Sequence, residues 1–587
     1  MRYVFDIETD GLLDDVTLVH CLVLKDIDNG DIISFTQKDW HEGVKLLQDA
    51  ELIIGHNIIK YDIPVLKKLY GFFNPKGIIR DTLVCTRLIW ADVKQSDFGR
   101  KDFPTKLIGS HSLKAWGYRI GNYKDEYEGG WENFSQEMWE YCIQDVEVTA
   151  TLWQKIVDKN YSEDAIELEH ELNEIIYRQE VAGFAFDSKA AGLLYAELSS
   201  RKHQLTKELS DAFPDWEIKT PFVPKVNSKK FGYEKGVPTH KVKSIQFNPS
   251  SRDHVANRLQ TLRGWQPKDF TNDGKPKVDE EVLSHLEYPE AKLLVEYYTL
   301  IKRLGQLGDG AQAWMKAEKK GRIHGSVNSN GAVTGRATHA YPNIAQCPAN
   351  GVAYGKECRA LFTVGAGNIL VGADVSGLEL RCLAHYMAKY DGGDYAEKVV
   401  HGDIHTENQQ KANITEAQGG RNASKKFIYT FLYGGGATKI GEAVGGTPKE
   451  GQKLKTTFLK ALPALNTLIT KVQAASKKGY LIGLDGRRIR VRAEFAALNT
   501  LLQSAGALIC KRWLIEFDRA LKTKGLETYC KQVAWVHDEI QLEVMKGYEK
   551  DVGNTAIESI KKAGEFFSIR CQLDGEYKVG SNWSETH

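Results

Sequence analysis

The sequence lacks any apolar run long enough to span a bilayer in its 587 residues. It also lacks a signal-peptide pattern, because the N-terminus runs directly into the strand-like segment MRYVFDIETD. The nine cysteines form no CxxC pair and no Cys/His cluster, and their number is odd. These absences disfavour a membrane span, a disulfide framework and a zinc site, and they indicate a reducing compartment such as the cytoplasm.

An excess of one charge is also missing. The 78 basic and 77 acidic side chains leave a formal net charge of +1, so any nucleic-acid site must be a local basic surface. With 42% hydrophobic and 26% charged residues, the composition is typical of a globular protein. The length predicts about three to five domains.

The N-terminal part, residues 1–155, has the pattern of an α/β unit. Tyr3–Phe5 and Leu52–Ile54 are short β-type runs, and residues 136–156 have a helical apolar period. Long helices are predicted for residues 160–210, with a break at a glycine.

The middle of the chain is less regular. Residues 213–247 are polar, basic and proline-bearing, so the sequence predicts a loop or a small insertion there. Helices are predicted again near residues 250–262 and 279–317, and the rest alternates short strands, loops and helices.

Four acidic residues form the first candidate site. Asp6 and Glu8 end the first predicted strand and share one face of it, although such pairs are more often only solvent-exposed. Asp62 follows the next apolar strand, and Tyr141 lies one helical turn before Asp145. The four carboxylates could bind two Mg²⁺ or Mn²⁺ ions for phosphodiester cleavage, with the tyrosine orienting the attacking water.

A second acidic pair lies far downstream. Asp374 ends an apolar strand, and Asp538 interrupts an apolar run at 533–542. Acids in apolar strands are unfavourable unless they bind metal or are paired. The pair is therefore a candidate two-metal site for phosphoryl transfer, with two unrelated strand-end carboxylates as the alternative.

Between these acids, basic and aromatic residues recur every fourth position: Arg421, Lys425, Tyr429 and Tyr433. On a helix they share one stripe, and the glycine run 434–436 would end that helix. Two cations beside two rings suit a nucleoside triphosphate, although a solvated helix face with a packed edge is the alternative.

The joint pattern resembles a known family. D-x-E, N-x3-Y-D and Y-x3-D, at 6–8, 57–62 and 141–145, are similar to the three motifs of proofreading 3′→5′ exonucleases. D-x-S-G-L-E-L-R (374–381), the four-residue ladder and V-H-D-E (536–539) resemble motifs A, B and C of family A DNA polymerases. Longer strings, such as GSVNSNGAVTGRATHAYPNIAQ and AALNTLLQSAGALICK, resemble the replicative polymerases of T-seven-like podovirus phages. The resemblance covers essentially the whole chain.

The resemblance implies an α/β multidomain fold: an RNase H-like exonuclease domain, then a right-hand polymerase of thumb, palm and fingers with an antiparallel palm sheet. The expected boundaries are 1–155 for the exonuclease, 156–345 for connecting helices and thumb with a short insertion near 213–247, 346–390 for the first part of the palm, 391–498 for the fingers and 499–587 for the second part of the palm.

The resemblance also implies roles for individual residues. The metal ligands would be Asp6, Glu8, Asp62 and Asp145 in one site and Asp374, the Val375 carbonyl and Asp538 in the other, with two Mg²⁺ per site or Mn²⁺ in their place; with Tyr141, the six acids are the implied catalytic residues. The implied nucleotide-binding residues are Arg421, Lys425, Tyr429, His405, Glu379 and Tyr433.

Within the nucleotide set, Arg421 and Lys425 would bind the β- and γ-phosphates, and Tyr433 would stack at the templating position. The family pattern packs Glu379 against the ring at Tyr429 and so excludes a ribose 2′-hydroxyl. The hydroxyl of Tyr429 further implies ready incorporation of dideoxynucleotides, which Tyr429→Phe would reduce. His405 would add a phosphate contact, with a surface imidazole as the alternative.

The DNA contacts implied are Arg336, Thr334, Asn499, Gln503, His537, Lys302 and Arg303, with the arginines at 487, 488, 490 and 492 as further phosphate contacts. The expected partners are primer-template DNA, dNTPs, a phage helicase-primase and a single-stranded DNA-binding protein, with no membrane. Phage relatives have a long thumb insertion that binds host thioredoxin, but residues 213–247 are short. We therefore do not expect thioredoxin dependence, and the lysines of this segment could contact DNA instead.

Three other functions are consistent with parts of the pattern. A single-subunit RNA polymerase would share the polymerase motifs but not the exonuclease acids or Glu379. A DNA-binding scaffold with inactive sites would not retain every catalytic acid. A family A repair or lesion-bypass polymerase is the closest alternative to a replicase. The expected location is the cytoplasm of the infected bacterial host.

Overall fold

The computed structural model of the protein describes residues 1–122 and 127–587. These residues form two compact units. The first comprises Met1–Phe184, Gly325–Ala345 and Val364–His587, and the second comprises Ala185–His324 and Gln346–Thr363. Helices and strands alternate in both units, which confirms the predicted α/β class.

The N-terminal part of the first unit is a five-stranded sheet with helices packed on it. Its strand order is β3-β2-β1-β4-β5, in which β1, β4 and β5 are parallel and β2 and β3 are antiparallel to their neighbours. The elements are β1 Arg2–Thr9, β2 Val19–Asp26, β3 Ile32–Thr36, α1 Trp40–Asp49, β4 Leu52–Gly55, α2 Asp62–Tyr70, β5 Ile78–Asp81, α3 Thr82–Ile89, α4 Val93–Asp97, α5 Leu113–Ile120, α6 Gln136–Val157 and α7 Glu163–Ala182.

Both faces of this sheet are covered, because the side chains of β1 alternate between two cores. Tyr3, Phe5 and Ile7 pack into the core that contains α1 and α2. Val4 packs on the opposite face with residues of α6. A strand buried on both faces explains the nearly continuous apolar run at the start of the sequence.

The second unit is mainly helical and contains the four-stranded sheet β13-β6-β10-β9. The elements up to residue 363, with β11 and β12 belonging to the first unit, are β6 Phe184–Phe186, α8 Ser188–Ala212, β7 Trp216–Phe222, β8 Thr239–Ile245, α9 Arg252–Arg263, α10 Glu280–Ser284, α11 Pro289–Leu304, α12 Trp314–Ala317, β9 Glu318–Lys319, β10 Arg322–Ile323, β11 Ser326–Asn328, β12 Thr338–Ala340, α13 Gly355–Ala360 and β13 Phe362–Thr363.

One segment has secondary structure that was not predicted. The residues predicted as a loop or a small insertion contain β7 and β8, which pair antiparallel from Trp216↔Ile245 to Phe222↔Thr239. The sequence signal for these strands is weak, because Pro221 lies within β7, β8 carries two lysines, and both faces of the hairpin are largely exposed.

The C-terminal part of the first unit is organised around a four-stranded antiparallel sheet with the order β17-β18-β14-β19. Its elements are β14 Asn368–Val375, α14 Leu378–Asp391, α15 Asp394–His401, α16 Ile404–Ala412, α17 Gly420–Leu432, α18 Ala437–Ala443, α19 Pro448–Ala461, α20 Pro463–Ser476, β15 Tyr480–Ile482, β16 Arg488–Arg490, α21 Ala497–Lys524, β17 Cys530–Val536, β18 Glu539–Met545, α22 Glu549–Phe566 and β19 Gly575–Gly580.

Helix α21 lies at the centre of this region and is buried almost all round, packed against α7, α14 and α22. The apolar run at 533–542 is not one strand, because it forms the hairpin β17–β18 with His537 and Asp538 at its turn. His537 adopts a positive φ of 59° in that turn. The turn brings Asp538 to the end of the sheet, so its carboxylate is not in the middle of a strand.

The helix predicted from the four-residue repeat is confirmed as α17. It ends at Leu432, and Gly434 follows in the left-handed region at φ 76°, where a residue without a Cβ is favoured. Among the described residues, no helix is both long and apolar enough to cross a membrane.

Candidate active sites

The N-terminal acids come together from three elements. Asp6 and Glu8 lie on β1, Asp62 is the first residue of α2, and Asp145 lies on α6. Glu8, Asp62 and Asp145 are 7%, 4% and 5% exposed. The parallel pairing of β1 with β4 explains this convergence, because the segment after β4 leads into α2 beside the end of β1.

The electrostatics of this cluster show how closely the acids are packed. Burial raises the pKa of Asp62 to about 7, and the nearby carboxylates of Asp81 and Asp145 raise it further, whereas the backbone N–H of Ile7 lowers it. A bound cation would remove this repulsion. The donors are carboxylate oxygens, which are the ligands that Mg²⁺ prefers, so the residues present fit such an ion.

Two tyrosines flank the acids. Tyr61 donates a hydrogen bond from its hydroxyl to the Gly11 carbonyl at 2.7 Å and also contacts the Thr9 hydroxyl. Tyr141 lies on α6 one turn before Asp145, as predicted, with its ring centroid 5.7 Å from that of Tyr127.

Sequence reasoning overlooked Cys142 at this site. Its Sγ lies 3.6 Å from the Oδ2 of Asp6, and ligand atoms of Asp6, Glu8 and Cys142 all lie within 4.8 Å of one another. Its position next to Tyr141 was the available signal, but adjacent residues on a helix ordinarily face different directions. Here α6 packs on β1, which places Cys142 beside Asp6.

The C-terminal acids also converge, at one end of the strands of the antiparallel sheet. Asp374 lies opposite Glu539 on β18 and Glu576 on β19, and the N–H of Val375 donates to the Asp538 carbonyl at 3.0 Å. Burial raises the pKa of Asp374 to about 6, with Glu576 and Asp538 adding repulsion. The neighbouring glutamates were not predicted, since antiparallel register cannot be read from the sequence.

Asp538 and Glu539 differ in their surroundings. The pKa of Asp538 is raised by burial and by the nearby Glu379. Burial also acts on Glu539, but its pKa is lowered because the carboxylate accepts hydrogen bonds from His587, Trp583 and Gln541. Glu539 is therefore held as an anion by protein donors, whereas Asp374 and Asp538 remain carboxylates that a divalent cation would suit.

A cavity of about 300 Å³ lies beside Asp538, lined also by Arg336, Glu379, Tyr433 and His537. Tyr433 donates from its hydroxyl to Oε1 of Glu379 at 3.0 Å, and an Arg336 nitrogen lies 3.5 Å from the same oxygen. The resemblance predicted Glu379 against Tyr429. In this structure burial and the nearby Glu379 raise the pKa of Tyr429, but Glu379 is hydrogen-bonded to Tyr433.

Of the two basic residues in the N-terminal half of α17, Arg421 forms an ion pair within the protein and Lys425 does not, within the described residues. Nε of Arg421 lies 2.6 Å from an oxygen of Asp403, the N-cap of α16, which sequence reasoning did not single out. Lys425 is exposed and has no ion pair within the described residues. Burial and the two cations lower the pKa of His405, whose ring centroid is 6.3 Å from that of Tyr429. The predicted phosphate-binding residues are thus brought together.

Comparison with known proteins gives the family. Residues 233–585 match DNA polymerase family A. The chain belongs to DNA polymerase family A. Its activity is accordingly DNA-directed DNA synthesis.

Two phage enzymes are similar over the full length. The DNA-directed DNA polymerases of Enterobacteria phage T3 and Escherichia phage T7 are each 38% identical over 708 aligned positions, covering 100% of this chain and of each relative. The alignments are longer than the 587 residues of this chain, so both relatives contain segments that it lacks. The POL domain of Pol1 from M. smegmatis, in complex with DNA primer-template and dNTP, shares the fold with a TM-score of 0.74 at 18% identity, covering 100% of this chain and 97% of that one.

Several residues that the resemblance implies as DNA contacts form hydrogen bonds within the protein in this structure. The side-chain amide of Asn499 donates to the Leu432 carbonyl at 3.1 Å, and Gln503 donates to Asn499 at 2.9 Å. This links α21 to the end of α17. Thr334 is 9% exposed, whereas Arg336 reaches Glu379 in the cavity.

Two of the predicted phosphate contacts do not fit this structure. Arg303 is 7% exposed and donates to the Ala353 carbonyl and to Gln306, whereas its neighbour Lys302 is more exposed. Arg487 is 3% exposed, because it is part of a buried charge network. Both guanidinium groups are turned towards protein acceptors, and neither is available to a phosphate.

This buried network joins distant parts of the first unit. Glu169 on α7 pairs with Lys511 on α21 and, at 2.7 Å, with Arg487, which also pairs with Asp485. Burial alone would raise the pKa of Glu169, but Lys511 and Arg487 lower it to about 2. Both cations also donate to Oδ1 of Asn330 at 3.0 Å. The network thereby fixes the start of the segment that carries Arg336.

Proposed function

We propose that this polymerase adds dNTPs to a primer 3′-hydroxyl by a two-metal mechanism at Asp374 and Asp538. The observation that carries the proposal is the meeting of these two carboxylates at one end of the antiparallel sheet, beside the cavity that contains Glu379. With the Val375 carbonyl they would hold two Mg²⁺ ions, or Mn²⁺ in their place. Such ions stabilise the charge on the attacking and leaving oxygens when bound.

The protein groups around this centre would position the reactants. The primer 3′-oxygen attacks the α-phosphorus of the dNTP, and pyrophosphate leaves as the new phosphodiester bond forms. Arg421 and Lys425 would bind the β- and γ-phosphates, and Asp403 would compete with the phosphates for Arg421. The pKa of His405 is lowered by burial and by the two cations, so its imidazole would be neutral and would donate a hydrogen bond to the same phosphates.

Sugar selection would depend on Glu379. Its carboxylate lies at the cavity wall and is held by Tyr433 and Arg336. A ribose 2′-hydroxyl would meet this carboxylate and the half-buried ring of Tyr429. For Tyr433 to stack at the templating position, its hydrogen bond to Glu379 must break, and this exchange would accompany movement of α17.

We propose that the N-terminal acids carry a 3′→5′ proofreading exonuclease in an RNase H-like domain. The support is the buried oxygen-donor cluster of Asp6, Glu8, Asp62 and Asp145, which fits two divalent cations. Tyr141 would orient the attacking water. The exonuclease would span residues 1–155.

The remaining chain would divide into the parts of a right-hand polymerase. Residues 156–345 would be connecting helices and thumb, 346–390 and 499–587 the palm, and 391–498 the fingers. The support is the order of the elements along the chain: α17 lies between β14, which carries Asp374, and the hairpin β17–β18, which carries Asp538 at its turn.

The proposed partners are primer-template DNA and dNTPs, as in the solved relative described with both. The similarity to phage polymerases supports a role in phage genome replication in the host cytoplasm, with a helicase-primase and a single-stranded DNA-binding protein. The short segment before α9, and the extra residues in the two phage relatives, support independence from thioredoxin.

Primer extension with Mg²⁺ and dNTPs tests the polymerase site. Asp538→Asn is expected to lower the extension rate at least about a thousandfold, because several kcal/mol of transition-state stabilisation are lost. Asp574→Asn is the matched control, since its carboxylate is half-exposed and lies 3.9 Å from the ammonium group of Lys561. Extension by Asp538→Asn at the control rate would refute the assignment.

A further inference from the structure

Three aromatic side chains lie beside the N-terminal acids. We use the term aromatic edge for Tyr127, Trp131 and Tyr141, whose rings form a continuous series of contacts. The ring of Trp131 packs edge-on against that of Tyr127 at 4.9 Å, and the ring of Tyr127 lies 5.7 Å from that of Tyr141. Tyr141 lies on α6 one turn before the buried Asp145. The aromatic edge therefore leads from the carboxylates to Trp131.

Trp131 is the exposed end of the aromatic edge. Its residue surface is 42% exposed. An edge-on contact uses at most one face of either ring, so the contact with Tyr127 leaves a face of the indole open. Single exposed aromatic side chains are common on protein surfaces, and exposure alone does not indicate a binding residue. The anchoring and the charge around Trp131 distinguish it from such residues.

The backbone of Trp131 is anchored to the N-terminal sheet. Its carbonyl oxygen lies 2.8 Å from Nε2 of His20, a fully buried residue of β2. The side-chain amide nitrogen of Gln37 lies 2.7 Å from Nδ1 of the same ring. An amide nitrogen only donates, so His20 accepts at Nδ1 and donates from Nε2 to the carbonyl of Trp131. An indole that is positioned in advance loses little conformational entropy when a ligand stacks on it.

The charge around Trp131 is negative. Residues 127–140 contain four glutamates and no lysine or arginine. All four glutamates are exposed: Glu128, Glu132, Glu137 and Glu140. This surface therefore offers no electrostatic attraction to a phosphate backbone, which is the usual source of affinity for DNA. Base stacking on an aromatic ring does not depend on such attraction.

The same charge favours a single strand over a duplex. A duplex would bring two phosphate backbones to the acidic surface, and its paired bases are already stacked on one another. An unpaired strand brings one backbone and presents open base faces, which aromatic side chains bind without regard to sequence. The chemistry of this surface thus fits the unpaired end of a DNA strand.

The dimensions of the aromatic edge indicate which nucleotide would reach Trp131. A stacked strand advances about 3.4 Å per nucleotide. The ring distances of 4.9 Å and 5.7 Å then place the indole at most about three nucleotides from Tyr141 along such a strand. With the terminal phosphodiester at the acids beside Tyr141, the base two or three positions from the 3′ end would lie at Trp131.

We propose that Trp131 stacks with a base two or three nucleotides from the 3′ end of an unpaired DNA strand, and that this contact gives the exonuclease a preference for single-stranded ends. The inference rests on the proposed exonuclease function. Stacking at this distance contributes to binding and not to bond cleavage. Trp131 is therefore a specificity-determining residue, whereas the acids and Tyr141 act at the scissile phosphodiester.

The test is the steady-state degradation of single-stranded DNA with Mg²⁺ by the wild type, Trp131→Leu and Trp131→Phe. Trp131→Leu should raise the KM for a long single strand about tenfold or more, which is the usual effect of losing one stacked base. The kcat should stay within about twofold, and Trp131→Phe should retain most of the affinity. Phe72→Leu is the matched control, because Phe72 is 86% exposed and follows the end of α2 that is distant from Asp62.

The dependence of KM on substrate length separates stacking from a structural role. For oligothymidylates of two to six nucleotides, the KM of the wild type should fall sharply when the third or fourth nucleotide is added, and this step should be missing in Trp131→Leu. The salt dependence of KM should be the same in both proteins, because no phosphate contact is removed. Thermal unfolding checks that the variants fold like the wild type.

An unchanged KM in Trp131→Leu would overturn the proposal. A KM raised equally for the dinucleotide and the hexanucleotide would do the same, as would a lower kcat at unchanged KM, because either result indicates a structural effect on the acids. Failure of the wild type to degrade single strands, or degradation that persists in Asp6→Ala/Glu8→Ala, would instead count against the proposed exonuclease itself.

Discussion

At the scale of single residues, Arg421, a proposed triphosphate-binding residue, forms an ion pair with Asp403 of the protein itself. Nε of Arg421 lies 2.6 Å from Asp403, which also caps α16 through the N–H groups of His405 and Thr406. A triphosphate must compete with this carboxylate. The four-residue repeat of α17 was predictable from its spacing, but Asp403 as the partner of Arg421 was not, because the two lie 18 positions apart in sequence.

Asp403→Asn is therefore expected to lower the KM for dNTP by a factor of about two to five, since exposed ion pairs contribute little. The amide retains the capping ability of the side chain but loses its charge. The turnover number should stay nearly constant. Steady-state extension at varied dNTP measures both, with Asp394→Asn, an exposed acid paired to Lys398, as control. A KM that is unchanged or higher would contradict this prediction.

His170 provides a second residue-scale prediction. Its ring is buried on α7, where one nitrogen accepts from the Asp81 N–H at 2.8 Å and the other donates to the Ile166 carbonyl. Burial lowers the pKa of His170 to about 4 from an ordinary 6.5, and Arg80 lowers it as well. The unfolded chain thus binds a proton at higher pH than the folded protein does.

The stability contributed by neutral His170 is complete above pH 6.5 and is lost as pH falls towards 4. The free energy of unfolding should fall by about 3 kcal/mol over that range on this group alone. His170→Gln can accept the same hydrogen bond but cannot titrate, so its urea midpoint should depend less on pH between 6.5 and 4. An identical pH dependence in both proteins would rule this explanation out.

At the scale of elements, α7, α21 and the segment leading to Arg336 are joined by buried charges. Helix α7 was predictable from its length and apolar period, and β14 from its apolar run before Asp374. The network itself was not, because its four charged residues come from α7, α21 and the β15–β16 connection, and nothing in the sequence indicates that these parts meet. The arginines at 487 and 488 looked alike in sequence, yet Arg487 is buried and Arg488 exposed.

Lys511→Met removes one of the two cations that pair with the buried carboxylate of Glu169, so that only Arg487 remains to balance its charge. The free energy of unfolding should fall by about 3–5 kcal/mol, the usual effect of breaking a buried ion pair. Lys511→Met combined with Glu169→Gln should be less damaging than the sum of the single changes, because the buried anion is removed as well. Urea titration of the four proteins measures this, and strict additivity would contradict the coupling.

At the scale of the whole molecule, the motifs predicted the family and the convergence of the acids, because most of the acids lie on, or directly after, elements whose positions follow from the apolar pattern. The hairpin β7–β8 and the turn at His537 and Asp538 were not predicted. Both depend on pairing between strands: the exposed strands carry only a weak apolar pattern, and a turn inside an apolar run looks like part of one strand. Cys142 and Glu576 were missed for the same reason.

The central claim is that one chain carries a polymerase centre at Asp374 and Asp538 and a separate exonuclease centre at Asp6 and Glu8. A primer-template supplied with only the next correct dNTP tests both together, because repeated insertion and excision convert that dNTP to dNMP. The measured quantity is dNMP released per primer end.

The wild type should release many equivalents of dNMP, while Asp538→Asn and Asp6→Ala/Glu8→Ala should each release almost none beyond what degradation of the primer supplies. The first variant should still degrade primers, and the second should still extend them. Sustained dNMP release by either variant, or the loss of both activities in one of them despite native stability, would contradict two separate centres.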